Sequence, residues 1–145
     1  MHIAQFELER YFAQHEFSTK YLLSASDCES LTVRELLGMA DPVTRKLWDD
    51  LKLEYTETSG HPLLRNAVCG LYKGIVPDDI LTVIPEEGIF LLMHALLKPG
   101  DHVICMFPGY QSLYEIARSM GCRLIPWEPD EERGWWFDPG RLEQL

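Results

Sequence analysis

The chain has 145 residues, about one domain by the usual measure of roughly 100–200 residues each, and its 46% hydrophobic and 25% charged content is ordinary for a globular protein. A formal net charge of −10 argues against nucleic acid as a partner, because phosphates are neutralised by Lys and Arg, and no apolar run approaches the roughly 20 residues that span a bilayer. The amino terminus has neither a basic segment leading into an apolar core nor an acid-free, Arg-rich transit character, so the expected location is cytoplasmic, and a chain of this length can bury about two thirds of its unfolded surface.

Phe6, Leu8, Tyr11 and Phe12 recur at helical spacing and predict a short amphipathic helix within residues 3–17. The spacing leaves open whether its apolar face packs on this chain or on a partner subunit. Thr32-Val-Arg-Glu35 fits a capping box, in which a hydroxyl and a carboxylate exchange hydrogen bonds with each other's backbone at a helix start. Asp41-Pro42 then supplies an N-cap with proline in the first turn of a helix running through Leu51. Gly60-His61-Pro62 is a third start signal, and Leu63, Leu64, Ala67, Val68, Leu71 and Tyr72 line one face of a helix expected to end near Gly74.

From Pro77 onward the pattern becomes strand and helix in alternation. Ile80–Ile84 reads as a strand, Glu86–Leu97 as a helix and His102–Met106 as a strand. Gln111–Met120 reads as a helix closed by Gly121, and Cys122–Trp127 as a further strand. This predicts an α/β class chain in which a helical arm precedes a βαβαβ unit, with Ile80–Ile84 and His102–Met106 as neighbouring parallel strands. Residues 128–137 form a polar loop carrying Trp135 and Trp136, and Asp138-Pro139 begins a last helix containing Arg141 and Leu142.

Cys28, Cys69, Cys105 and Cys122 lie far apart, without a C-x-x-C pair or histidines at zinc-finger spacing, so they read as buried free thiols and no metal site is expected. The five histidines show no ligand spacing, and His94, on an apolar helix, reads as a core histidine. No Gly-x-Ser-x-Gly, Gly-x-Gly-x-x-Gly or Gly-Lys-Ser/Thr is present to support a hydrolase, dinucleotide or P-loop reading.

Two places carry possible binding chemistry. A helix that follows a strand offers backbone N–H donors and the positive end of its macrodipole to an anion, which puts Glu86 and Glu87 where a phosphate is held. Taken alone, Pro85-Glu-Glu is explained more simply by an ordinary helix start, where proline and acids are favoured without any ligand. Tyr110 follows a buried strand behind Pro108-Gly109 and so stands at the carboxyl edge of the sheet, where open α/β folds bind ligands. Its ring suits the face of a flat cofactor, although a packing role fits equally well. Tyr114 reads as packing, Asp101 in Lys-Pro-Gly-Asp as a turn residue, and Tyr55 as a loop aromatic with no chemical signal of its own.

Taken together, Tyr55-Thr-Glu-Thr-Ser-Gly60-His-Pro-Leu-Leu-Arg65, Pro85-Glu-Glu-Gly-Ile-Phe90, Lys98-Pro-Gly-Asp-His-Val-Ile104 and Phe107-Pro-Gly-Tyr-Gln-Ser-Leu-Tyr114 resemble, in order and spacing, the pyridoxal-phosphate-dependent aminotransferases of class I/II, or fold type I. The resemblance runs from about Leu22 to the last residue and is strongest between Tyr55 and Trp127. It implies an amino-terminal helical arm and small-domain segment over residues 1–54 and the first part of a large cofactor-binding domain over residues 55–145. It implies pyridoxal 5'-phosphate as cofactor, with Tyr110 stacking on its ring and Pro85, Glu86 and Glu87 at its phosphate. Tyr55 matches the tyrosine that reaches the phosphate of the neighbouring subunit's cofactor, which implies a homodimer. Ser26, within the segment from Ser24, matches a position near the substrate carboxylate. The family usually has a glycine and then a small or hydroxylated residue where this chain has Ile84 and Pro85, and proline removes one phosphate donor.

The implied activity of the full-length relatives is transfer of an amino group between an amino acid and a 2-oxo acid. The family's Schiff-base lysine, the acid at the pyridine nitrogen and the substrate-binding arginine are expected beyond Leu145, and Lys20, Lys46, Lys52, Lys73 and Lys98 do not match the catalytic lysine. No catalytic residue is therefore assigned within the chain, which is expected to be inactive alone. Two other readings stay open: a non-catalytic truncated, dimerising or binding remnant of the fold, and a lyase or decarboxylase built on it.

Overall fold

The computed structural model describes residues 2–145, which form two compact units: Ser18–Thr82, and the chain up to Phe17 together with Val83–Leu145.

The Ser18–Thr82 unit is helical. Helices α2 (Val33–Gly38), α3 (Pro42–Asp49) and α4 (Pro62–Cys69) each begin at a cap written in the sequence. Thr32 N–H donates to Glu35 Oε2 at 2.8 Å while Glu35 N–H donates to Thr32 Oγ1 at 3.2 Å, completing the expected capping box of α2. Asp41 Oδ1 accepts from Val43 N–H and Thr44 N–H at 2.8 and 3.0 Å to open α3, and His61 Nδ1 accepts from Leu63 N–H at 3.2 Å to open α4. The last of these ends at Cys69, short of the expected Gly74. Gly70, which has the least to gain from helical backbone, turns the next amides to bonds three residues back, Gly70 to Ala67, Leu71 to Val68 and Tyr72 to Cys69.

A 3-10 turn at Pro77–Asp79 packs on α4 through Arg65. The Arg65 guanidinium donates to the Pro77 carbonyl, to Ser59 Oγ at 3.0 Å and to Asp78 Oδ1 at 2.9 Å. Gly60 sits beside this clamp with φ of +105°, and an added Cβ would lie 2.4 Å from Thr82 Oγ1, so both its backbone and its surroundings require glycine. This is a structural reason for the glycine that ends Tyr55-Thr-Glu-Thr-Ser-Gly60.

In the other unit, α1 (Glu7–His15) lies within the expected amino-terminal helix. α5 (Pro85–Leu96) leads through the Lys98–Asp101 turn to β1 (His102–Met106), and α6 (Ser112–Ser119) crosses to β2 (Arg123–Trp127). β1 and β2 pair in parallel with His102 opposite Arg123 and Met106 opposite Trp127. The turn is tied to β2 by Gly100 N–H to the Gly121 carbonyl at 2.9 Å and Arg123 N–H to the Asp101 carbonyl at 2.8 Å, and Asp101 caps its own turn by accepting from Lys98 N–H at 2.9 Å. α6 packs on α5 and both strands, and the buried core sits there: Ile116, Ala117 and Cys122, with Ser112 and Glu115. Beyond β2, Asp130 and Trp136 pair in an antiparallel bridge, and α7 (Pro139–Leu142) is capped by Asp138 through Gly140 N–H at 2.9 Å.

The α/β class is as expected, with a small parallel sheet, but the first strand is not. Ile80–Ile84 is extended without being part of the sheet, whose two strands are β1 and β2, so one βαβ unit stands where βαβαβ was predicted. A strand is defined by its ladder, and here Thr82 N–H is taken by the Ser59 carbonyl at 2.9 Å while Leu81 and Ile84 are 57% and 70% exposed. Nor does the chain bury the two thirds of its unfolded surface that its length allows. The chain exposes 12255 Å², against about 7,700 Å² for a folded monomer of its mass, so it buries about half of its unfolded surface rather than two thirds. Apolar residues of α4 and of the turn after it are one cause, with Leu63, Leu64, Leu71 and Tyr72 all exposed. Of the cysteines, all free, only Cys122 is buried, and Cys28 is exposed. His94 is exposed as well, its Nδ1 2.8 Å from the Phe90 carbonyl of its own helix. Among the described residues no helix is long and apolar enough to cross a membrane.

Candidate functional site

The amino-terminal turn of α5 is open. Ile84 in the N-cap position gives no side-chain cap, and Pro85 has no N–H, so the first-turn amides of Glu86 and Glu87 project past the helix end without a side-chain acceptor. The Glu86 carboxylate is drawn toward α6, where its Oε1 accepts from Ser112 Oγ at 3.2 Å. Gly88 closes the turn from the other side: an added Cβ would lie 2.7 Å from Val83 Cγ2. Its use is therefore to let the incoming chain approach the helix.

Tyr110 follows β1 across Phe107 and the cis Phe107–Pro108 peptide. It is 40% exposed, and its hydroxyl reaches Glu9 Oε1 at 3.4 Å with the Glu86 carboxylate also beside it. Partial burial pushes the phenol above its ordinary value, and the Glu86 and Glu9 carboxylates push the same way by opposing a phenolate. Tyr110 and the Glu86 turn thus lie side by side. Tyr114 packs instead, with its ring 5.8 Å from that of Phe107 and under the Arg118 guanidinium. Tyr55 and Ser26 belong to the Ser18–Thr82 unit, where both are exposed.

Sequence reasoning missed the residues that meet Tyr110 from the amino terminus. The Phe6 ring lies 4.7 Å from the Tyr110 ring at 74°, Glu7 N–H donates to Gln111 Oε1 at 3.0 Å, and Gln111 Nε2 donates to the Gln5 carbonyl at 2.7 Å. A cavity of about 240 Å³ lies between this segment, α5 and α6, walled by Ile3, Phe6, Phe90 and Ile116 with Glu86 and Glu115. The hydrophobic spacing of residues 6–12 gave a helix but no hint of its docking place.

A parallel βαβ unit with an exposed aromatic residue past its first strand and an open helix start beside it is an arrangement of the α/β class. The family follows from comparison: residues 40–145 match the family described as aminotransferase class I and II, and the chain belongs to it. Enzymes of this family depend on pyridoxal phosphate. An aspartate/prephenate aminotransferase of Thermus thermophilus is 31% identical over 99 residues, 64% of this chain and 26% of the relative. Capreomycidine synthase of Streptomyces vinaceus is 31% identical over 132 residues, 88% of this chain and 33% of the relative. Among solved structures, a PLP-dependent aminotransferase from Streptococcus suis superposes with a TM-score of 0.82 at 36% identity, covering 100% of this chain and 40% of the other. The chain thus spans between about a quarter and two fifths of these relatives.

Proposed function

We propose that this chain supplies the amino-terminal portion of an enzyme that moves an amino group between an amino acid and a 2-oxo acid, with residues 1–54 as arm and small-domain segment and residues 55–145 as the first part of the cofactor domain. The observation that carries the reading is the exposed Tyr110 ring beside the uncapped start of α5. The donor set there fits pyridoxal phosphate: the Glu86 and Glu87 amides and the helix dipole suit its phosphate, and the Tyr110 ring suits its pyridine face. With Glu86 held by Ser112, that carboxylate is turned aside from an incoming anion. When bound, the cofactor supplies an electron sink for a substrate carbanion, and the protein's part is to orient it and exclude water.

In the same reading Tyr55 reaches the phosphate of a second copy's cofactor in a cytoplasmic homodimer, and Ser26 lies near the substrate carboxylate. The chain alone is inactive. Lys98, the lysine of the unit that holds Tyr110, follows the far end of a 12-residue helix, about 18 Å from the α5 start and out of reach of a side chain. In the Ser18–Thr82 unit, Lys46 is paired with Asp50 at 2.7 Å.

Pyridoxal phosphate titrated into the purified chain, followed by its absorbance and by protein fluorescence, tests the site. Tyr110→Ala is expected to weaken binding by about 1–3 kcal/mol, the loss typical of aromatic stacking on a flat base, with Tyr114→Ala leaving affinity unchanged. No amino acid is expected to convert the cofactor to its amine form catalytically. Equal affinity in the chain and Tyr110→Ala would remove the site assignment.

A further inference from the structure

α1 has no cap of its own, since the Phe6 side chain in the N-cap position makes no hydrogen bond. The cap comes from 104 residues away: the Gln111 amide accepts from Glu7 N–H at 3.0 Å and donates to the Gln5 carbonyl at 2.7 Å. Both bonds are to main chain and they bracket Phe6, so they fix the place of the Phe6 backbone whatever the flanking side chains are. From that place the Phe6 ring meets the Tyr110 ring edge to face at 4.7 Å, and Glu9, in the first turn of α1, accepts from the Tyr110 hydroxyl at 3.4 Å. A ring on an exposed loop is free to rotate about two torsions, whereas one gripped at its side and at its hydroxyl keeps one plane.

We propose that Gln111 is a positioning residue for Tyr110, anchoring the amino-terminal strap of residues 5–9 so that Phe6 and Glu9 hold the Tyr110 ring in the plane a bound pyridine ring stacks against. This rests on the reading of Tyr110 as the stacking residue. The strap gives Tyr110 a support supplied by residues 5–9, so loss of that segment loosens the ring.

The test uses the whole chain with tyrosine labelled at Cζ, the Tyr110 resonance being assigned by Tyr110→Phe, and pyridoxal phosphate as the probe ligand. Gln111→Ala and Phe6→Ala are each expected to move the Tyr110 resonance toward that of free tyrosine and to weaken pyridoxal phosphate about five- to tenfold, and Gln111→Ala, which releases the strap, should also lower the pH at which this phenol titrates by withdrawing Glu9. The Tyr114 resonance should stay in place, which separates loosening of one ring from general unfolding. Gln111→Glu, which keeps an acceptor for Glu7 N–H but loses the donor to Gln5, should fall between. A Tyr110 resonance unmoved in Gln111→Ala overturns the proposal, as does a moved resonance with cofactor affinity unchanged while Tyr110→Ala weakens it. If Tyr110→Ala itself leaves affinity unchanged, the site reading fails and the positioning role falls with it, while the resonance shift still reports the strap's anchorage.

Discussion

Replacing Gly88 by alanine sets two effects of opposite sign against each other. Gly88 is a helical residue in the first turn of α5, so a methyl group gains up to about 1 kcal/mol of helix propensity. The same methyl would lie 2.7 Å from Val83 Cγ2, where carbon contacts are ordinarily about 3.5–4.0 Å. Val83 has a stiff χ1 and is one residue before the N-cap, so it retreats only by moving the chain that enters the helix. Overpacking of this kind costs about 1–3 kcal/mol, which leaves Gly88→Ala destabilising by about 0–2 kcal/mol. In a Val83→Ala background the clashing methyl is gone and Val83 Cβ is already at 3.8 Å, an ordinary contact. There the same substitution should stabilise by about 0.5–1 kcal/mol. The reversal of sign, a coupling of about 1–3 kcal/mol, is the test. It is read as the shift in urea midpoint at constant slope, followed through the fluorescence of Trp127, Trp135 and Trp136 in this unit. Stabilisation by the same amount in both backgrounds would refute the close approach of Val83 to the α5 start.

Three further outcomes are expected. Gly60→Ala combines a φ of +105° with a Cβ 2.4 Å from Thr82 Oγ1, so it should destabilise the Ser18–Thr82 unit by about 2 kcal/mol or more; an unchanged unfolding midpoint by Trp48 fluorescence would contradict this. Arg65→Lys replaces a planar fork by a point charge that cannot serve Pro77, Ser59 and Asp78 together, and a loss of about 1–3 kcal/mol in the same assay is expected, against none if the clamp is incidental. Hydrogen bonds from the Thr32 side chain and backbone hold Glu35, and those from the Thr44 backbone and side chain and the Val43 backbone hold Asp41, below the ordinary carboxylate range. Their contribution is complete above about pH 5 and is lost as pH falls through the lowered values. Protection of the Val43 and Thr44 amides, measured as exchange relative to the intrinsic rate at each pH, should therefore fall on acidification, and Asp41→Asn, which caps without titrating, should flatten that dependence.

The local elements were legible because their causes are local. The Thr32–Glu35 box, Asp41-Pro42 and Asp138-Pro139 each satisfy the first amides of a helix with residues at most three positions away, so the sequence names both partners. His102–Met106 and the strand after Gly121 were readable for a similar reason: Lys98-Pro-Gly-Asp101 and Gly121 are turn residues, and the turn they make fixes the register His102 to Arg123. Tyr110 and Glu86 were placed together only by the resemblance of their motifs to those of the family, since Glu86 lies on α5, outside the βαβ unit of β1, α6 and β2.

The rest depended on which surfaces meet. Ile80–Ile84 has the β-branched composition of a strand, yet a strand exists only where a neighbour takes its amides, and here Ser59 takes the one at Thr82. The hydrophobic face of α4 reads the same whether or not anything covers it, so the sequence could not tell that Leu63 and Leu64 stay open. Likewise, no local pattern joins Phe6 and Glu9 to Tyr110. Gln111 reaches the backbone of Gln5 and Glu7, and nearly every residue type has the same backbone donor and acceptor, so only the tertiary structure decided where the amino terminus docks.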